Sequence, residues 1–400
     1  MIARFSPCRL CGKTEAPPSK SMAHRYLIGA ALSGNKCRLL GVDYSEDILA
    51  SIDCLRALGA EITTNNATVD INPSGFMTAK NPVLLARESG STLRFLIPLA
   101  LTLGIPVTLR GSQRLLERPL TVYEDIAKKE GFLFEKSSDS ITLCGNLRPG
   151  EYTVRGDISS QFITGLIFAM IRLSEDSAIE ILPPFESRSY VDLTLSALRA
   201  FGAQISFVGE YRIEIKKSTL HSFTGRIEGD YSNAAFLDAF NYLDSNIEIG
   251  NLNRDSLQGD RVYAEYFEKI SSGTPTLDIS DCPDLGPVLF ALAALKNGAT
   301  FTGTDRLKAK ESDRGKAMHD ELSKLGGTLI FGDNRITVPK QELRYSPIAI
   351  DGHNDHRIVM AMSVILSVVG GKISGAEAIR KSYPGFFEDI KKLGAKVELL

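Results

Sequence analysis

The stretch Val191 to Ile215, VDLTLSALRAFGAQISFVGEYRIEI, decides the fold. Val191, Leu195 and Leu198 recur at helical spacing and line one face of an amphipathic helix. Gly202 follows as a residue that tolerates the left-handed conformation in which helices end. Beyond it, Ala203 to Phe207 and Tyr211 to Ile215 carry strand patterning across a short turn, which predicts a β-hairpin.

The same unit recurs along the chain. Ile48, Ile52 and Leu55 precede Gly59, Met318, Leu322 and Leu325 precede Gly326, and Phe386, Ile390 and Leu393 precede Gly394, with weaker copies ending at Gly131 and Gly273. Hairpins are predicted for 60–63 with 68–71, 132–135 with 140–143, and 328–331 with 335–338. Successive glycines lie 72, 71, 71, 53 and 68 residues apart, and each is expected to end its helix in the left-handed conformation. A unit of about 70 residues cannot bury its own helix, so six units predict an α/β protein of two domains with three units each. A turn-rich stretch from Ser218 to Gly229 separates the two trios. The last copy has no room for a second strand before Leu400, so Met1 to Cys11 is expected to join the second trio. The expected domains are therefore 21–227, and 1–20 together with 228–400, with two crossovers.

Composition narrows the function. The 400 residues include 43% hydrophobic ones, enough for full cores, and the net charge is only -2. That balance argues against a general nucleic-acid or membrane-surface binder, so any anion site must be a local concentration of Lys and Arg. No apolar stretch of transmembrane length and no signal pattern is present, which gives a cytoplasmic expectation. The six cysteines are dispersed. Cys8-Arg9-Leu10-Cys11 has the spacing of half a metal site but no second pair matches it, so unpaired thiols are expected.

Basic residues gather at predicted helix starts. Pro17-Pro18-Ser19-Lys20-Ser21 gives an extended entry, an N-cap and a lysine, with Arg25 one turn on. Ser89-Gly90-Ser91-Thr92-Leu93-Arg94 is a small-residue turn opening an apolar helix, and Glu117-Arg118-Pro119 sets an arginine before a proline expected at the first helical position. Ser159-Ser160-Gln161 offers uncharged donors at another start. Lys310-Glu311-Ser312-Asp313-Arg314, Asn354-Asp355-His356-Arg357 and Lys381-Ser382-Tyr383-Pro384 are expected to open three more helices. Backbone N–H groups and the dipole make each start a place for an anion. Their recurrence in both trios predicts one interdomain cleft for polyanionic small molecules. Asp284 and Glu311, embedded among these cations, are candidates for proton transfer. His356 is the one histidine inside such a cluster, and closing the Asp355 turn and catalysis are both open to it. No metal-ligand spacing, P-loop or nucleophile elbow occurs, so a reaction without metal or nucleotide cofactor is expected.

These ordered motifs resemble those of the 5-enolpyruvylshikimate-3-phosphate synthase family over essentially the whole chain. The resemblance implies a two-domain inverse α/β barrel that closes on substrate, and transfer of the enolpyruvyl group of phosphoenolpyruvate (PEP) to the 5-hydroxyl of shikimate 3-phosphate. It implies that Ser21, Arg25, Ser159, Ser160, Gln161, Ser187, Tyr190 and Lys310 hold shikimate 3-phosphate, with Lys20 and Asp284 also against it. Lys20, Gly90, Arg118, Gln161, Arg314, Arg357 and Lys381 would hold PEP. Asp284 would take the hydroxyl proton, and Glu311 or Lys20 would protonate the PEP methylene. A monomer acting on small molecules, with no nucleic acid or membrane partner, is expected.

Three positions depart from the pattern of many relatives: Pro18 stands for Gly, Glu88 for Asn, and Arg306 for an Asn found in some. The related UDP-N-acetylglucosamine enolpyruvyl transferases carry Asn beside the lysine and a reactive cysteine in the loop matching 110–118. Here Ser21 and a cysteine-free loop stand instead. An inactive ligand-binding member of the fold would be expected to have lost Lys20, Asp284 or Glu311, and all three are present.

Overall fold

The computed structural model describes all 400 residues. They divide into two compact units, 18–228 and a split unit of 1–17 with 229–400. Each unit has its own apolar core, built in the first from residues between Met22 and Ile227 and in the second from Ala3 to Ala16 and Ala234 to Val397.

Six main helices lie in the 18–228 unit: α1 (Lys20–Leu32), α2 (Glu46–Ala57), α3 (Gly90–Ala100), α4 (Thr121–Glu130), α5 (Ser160–Met170) and α6 (Arg188–Ala200). Six more lie in the split unit: α7 (Tyr231–Asn241), α8 (Tyr263–Ser272), α9 (Gly286–Leu295), α10 (Arg314–Lys324), α11 (His356–Val369) and α12 (Phe386–Lys392). Helices α3, α5, α9 and α11 are apolar nearly all round and buried on every face, so they form the centres of the two cores.

Five of the six sheets are four-stranded with one recurring topology. Val83–Arg87 runs parallel to Val107–Gly111, which pairs antiparallel with Ser140–Cys144, whose hairpin partner is Leu133–Lys136. The same order joins Glu151–Arg155, Ser177–Leu182, Arg212–Ile215 and Ile205–Val208, and joins Thr276–Asp278, Ala299–Thr302, Arg335–Val338 and Ile330–Gly332. In the sheet around Cys37–Leu40 the parallel strand is Thr224–Arg226, from the far end of the unit. The strand Ile2–Phe5 lies antiparallel between Gly371–Ser374 and Val397–Leu399, with Ala3 opposite both Ile373 and Leu399. It thus takes the inner position that a hairpin strand fills elsewhere. Cys11–Glu15 pairs in parallel with Asn246–Gly250 in the remaining, two-stranded sheet.

The structure differs from the sequence reading in particular places. Gly59, Gly131, Gly202, Gly326 and Gly394 have positive φ, whereas Gly273 is extended at φ -175°. The chain after α8 goes straight into Thr276–Asp278, the first strand of the next sheet, and forms no hairpin of its own. The units part after Pro17 and not after Lys20, because the Ser19 N–H donates to the Glu228 carbonyl at 2.7 Å and Ser19 caps α1. All six cysteines are unpaired thiols. No helix is long and apolar enough to cross a membrane.

Pro98 lies inside α3. It has no N–H, so the Arg94 carbonyl one turn back loses its intrahelical donor. The buried Tyr123 hydroxyl supplies the substitute, donating to that oxygen at 2.7 Å. Gly165 of α5 makes room for the arrangement, since a Cβ there would lie 2.3 Å from the Tyr123 hydroxyl and 2.4 Å from the Arg94 oxygen. Gly165→Ala is therefore expected to lower the stability of the 18–228 unit by about 1–3 kcal/mol. Tyr123→Phe, which leaves a buried carbonyl without a donor, should cost a similar ~1–3 kcal/mol. Gly273→Ala, at an extended φ with nothing within 4 Å of the new methyl, should be neutral or stabilising by up to about 1 kcal/mol. Urea unfolding midpoints of the three variants check this.

Candidate active site

In the 18–228 unit the helix starts meet. Ser19 takes the Met22 N–H and begins α1, which makes Lys20 its first residue. The Lys20 ammonium donates to Asp47 Oδ2 at 2.8 Å, and Asp47 sits in the first turn of α2. The Thr92 hydroxyl of α3 lies 2.8 Å from Ser89 Oγ, the cap of its own helix, and 2.8 Å from Ser51 Oγ of α2. Ser51 in turn meets His24 Nδ1 at 2.8 Å. Burial, with Lys20 and Arg25 close by, keeps His24 well below the usual histidine range and therefore neutral. Three helices are thus tied by one buried polar chain.

Arg25 is buried one turn into α1 and spans to α6. Its Nε donates to Thr194 Oγ1 at 2.9 Å and its Nη2 to the Tyr190 carbonyl at 2.7 Å, while Nη1 returns to the Ser21 carbonyl. Burial pulls it down to about 10, which leaves it a cation at neutral pH. Ser187 stands before α6 in the left-handed conformation at φ 54°.

Gly90, Arg94, Arg118 and Gln161 converge. Arg94 Nη1 donates to Gln161 Oε1 at 2.7 Å, and Gln161 Nε2 donates to Ser91 Oγ at 3.0 Å. Ser159 caps α5 by accepting the Gln161 N–H, with Ser160 buried beside it. A Cβ at Gly90 would lie 2.7 Å from Arg118 Nη1, so only glycine lets the guanidinium come this close to the backbone. Arg118 is not at a helix start as expected. It lies between the short turn Gln113–Leu116 and α4, whose cap is Leu120, because Pro119 precedes the cap and not the helix.

In the split unit the starts of α10 and α11 and the loop before α10 supply the cations around Asp284, which lies in the turn before α9. Arg314 Nη1 donates to Asp284 Oδ1 at 2.7 Å, and the Lys310 ammonium lies 3.1 Å from the same oxygen. Arg357 Nη2 donates to Oδ2 at 3.2 Å and Nη1 to the Asp284 carbonyl at 3.1 Å. Burial pushes the Asp284 carboxyl up, but Arg357, Lys310 and Arg314 together outweigh it and hold the group well below the usual carboxylate range. Lys310 is brought down to about 8 by burial, against the pull of Asp284.

Arg314, the first residue of α10, is 1% exposed and meets three carboxylates. Besides Asp284, it donates from Nη2 to Glu311 Oε2 at 2.7 Å and from Nε to Asp355 Oδ2 at 3.0 Å. Asp355 caps α11 through the Arg357 N–H and also takes the Ser312 hydroxyl at 3.0 Å. His356 is buried, with Nδ1 3.9 Å from Asp355 Oδ1. Lys381 was expected to open the last helix but ends the 3-10 turn Ala376–Lys381, and α12 begins only at Phe386. It donates to the Asn354 carbonyl at 2.5 Å, which brings it to the start of α11 all the same.

Sequence reasoning singled out the cations together with Asp284 and Glu311, and missed Asp47 and Asp355 as carboxylates that hold Lys20 and Arg314. Asp47 and Asp355 follow the signal of an acidic residue at a helix start, which is common enough to pass for capping. Ser51, which meets Thr92 in the 18–228 unit, and Ser232, which accepts from Arg357 in the split unit, carry no sequence signal, since only packing within each unit brings them to these contacts.

The family model described as EPSP synthase (3-phosphoshikimate 1-carboxyvinyltransferase) matches residues 6–390. The 3-phosphoshikimate 1-carboxyvinyltransferase of Clostridium kluyveri is 40% identical over 417 residues, covering 98% of this chain and 97% of the relative. That of Clostridium novyi is 38% identical, with 99% and 98% covered. The solved structure of EPSP synthase from Acinetobacter baumannii matches with a TM-score of 0.79 over 99% of both chains, and at 20% identity it speaks for the fold. With its repeated units in two compact halves, its clustered helix starts and these full-length relatives, the chain belongs to the EPSP synthase (3-phosphoshikimate 1-carboxyvinyltransferase) family.

Proposed function

We propose that the chain transfers the enolpyruvyl group of PEP to the 5-hydroxyl of shikimate 3-phosphate, releasing phosphate, as a cytoplasmic monomer that acts on small molecules and needs no cofactor. The observation that carries this reading is Asp284 held ionised between Lys310, Arg314 and Arg357. Arg314 is shared among Asp284, Glu311 and Asp355, and Lys310, Arg357 and Lys381 add the further cations that phosphate and carboxylate groups of polyanionic substrates can engage.

In this reading Arg118, Arg314, Arg357 and Lys381 bind the phosphate and carboxylate of PEP, with Lys20, Gly90 and Gln161 completing its surroundings. Ser21, Arg25, Ser159, Ser160, Gln161, Ser187, Tyr190 and Lys310 hold shikimate 3-phosphate, and Lys20 and Asp284 also face it. The substrate anions take up the charge of the arginines, so Asp284 becomes a better proton acceptor once PEP is bound. It then accepts the proton of the 5-hydroxyl as that oxygen bonds to C2 of PEP, while the methylene gains a proton from Glu311 or Lys20. The tetrahedral adduct next loses phosphate as the bond between C2 and the phosphate oxygen breaks and the new methyl group gives up a proton, which forms the enol ether. Asp47, paired with Lys20, holds that ammonium in place.

Phosphate release from PEP tests the assignment. It is expected with shikimate 3-phosphate as acceptor and not with UDP-N-acetylglucosamine, and the reverse pattern would overturn it. Lys310 gives a second test. Its charge is present below about pH 8 and lost above, so the KM for shikimate 3-phosphate should rise as the pH passes that value. Lys310→Arg, which stays charged, should flatten the rise. A KM that rises equally in both proteins would remove Lys310 from the binding set.

A further inference from the structure

Asp260 lies in the 3-10 turn Gly259–Val262, away from every motif that marks the site, and is 4% exposed. The turn is tied to α7 by Gln258, which accepts the Tyr231 N–H at 3.1 Å and donates to the Gly229 carbonyl at 2.8 Å. The Asp260 carboxylate is hydrogen-bonded to the Ser232 hydroxyl. Ser232 Oγ itself accepts from Arg357 Nη1 at 2.6 Å, so its own proton points to Asp260. The same guanidinium donates to the Asp284 carboxylate and carbonyl. A directed chain therefore runs from a buried carboxylate through one hydroxyl to the arginine that grips Asp284.

We propose that Asp260 is a positioning residue for enolpyruvyl transfer: through Ser232 it fixes the Arg357 guanidinium, and its negative charge offsets part of the Arg357 charge acting on Asp284. The inference rests on the reading of Asp284 as the group that accepts the hydroxyl proton. The groups facing Asp260 are Asp230 and Ser232 of the 230–232 segment, Cys282 and Asp284 before α9, and Arg357 of α11. Burial and the Asp284 charge raise the Asp260 carboxyl to about 6, against Arg357 and Ser232. It is then ionised above that pH and neutral below, and in the neutral form the offset is lost.

Asp260→Asn keeps an acceptor for Ser232 and removes the charge, so it should behave at every pH as the wild type does when Asp260 is protonated. At pH 8 its kcat should fall about tenfold, the change that one pKa unit at the base brings, with the KM for PEP unchanged or lower. The wild-type fall in kcat near pH 6 should be absent or shallower in Asp260→Asn, whereas the titration of PEP itself acts on both proteins alike. Ser232→Ala keeps the charge and breaks the chain, and should raise the KM for PEP about tenfold by loosening Arg357. These variants are assayed as full-length protein beside Asp284→Asn, with urea midpoints as the check on folding. Asp260→Asn with wild-type kcat and an unchanged acid limb overturns the proposal. So does a rise in KM with kcat untouched, which would be the mark of a merely structural part. If Asp260→Asn does not fold, Ser232→Ala with wild-type KM overturns it. An active Asp284→Asn would instead remove the base reading itself, whereas an inactive Asp284→Asn beside a wild-type-like Asp260→Asn removes this inference alone.

Discussion

The guanidinium of Arg314 is the contact on which the split unit's site depends. A buried cation is tolerated only when its donors are met, and Arg314 meets Asp284, Glu311 and Asp355 with three different nitrogens. Those carboxylates come from the turn before α9, the loop before α10 and the cap of α11, so one side chain sets the relative places of three helix starts. A lysine could not do this, because a point charge lacks the fixed fork that separates the three acceptors. The carboxylates repel one another, and Arg314, Lys310 and Arg357 together make their proximity stable.

The 18–228 unit solves a similar problem with less charge. Lys20 has one carboxylate, Asp47, while Arg25 and Arg94 are met largely by carbonyls, Thr194 and Gln161. Arginines bound to neutral acceptors keep their full charge, whereas those around Asp284 are partly neutralised. The first arrangement favours holding an anion and the second favours moving a proton. In both units the central helices are apolar over most of their length, so their site contacts gather towards the N-terminal end, where the backbone donors are unpaired in any case.

Conformational exceptions sit where the packing requires them. Pro98 interrupts α3 and Tyr123 replaces the missing donor, while Gly165 leaves space for that hydroxyl. Gly90 does the same for Arg118. In each case a missing side chain or N–H on one element is matched by a polar group on another.

The sequence by itself determined the repeat, because a helix ended by glycine and followed by alternating strands is a local pattern set by side-chain periodicity and φ preference. It also marked most of the cations, since Ser19, Gly90, Ser159 and Asp313 lie at helix starts that local rules recognise. Arg118 and Lys381 show the limit of those rules: a proline or a Lys-Ser pair announces a break in the chain but not on which side the next helix begins. Only the tertiary structure decided that Gly273 is extended, so that the strand after it opens the next sheet, and that Ile2–Phe5 fills a place between Gly371–Ser374 and Val397–Leu399. It alone chose Asp47 and Asp355 as the partners of Lys20 and Arg314, and Ser232 and Asp260 as the support of Arg357. Pairing of this kind joins residues far apart in the chain, 125 positions between Ser232 and Arg357 and 169 between Arg25 and Thr194. It is selected by the cost of burying a charge without a partner, and that cost arises only once the core has closed around it.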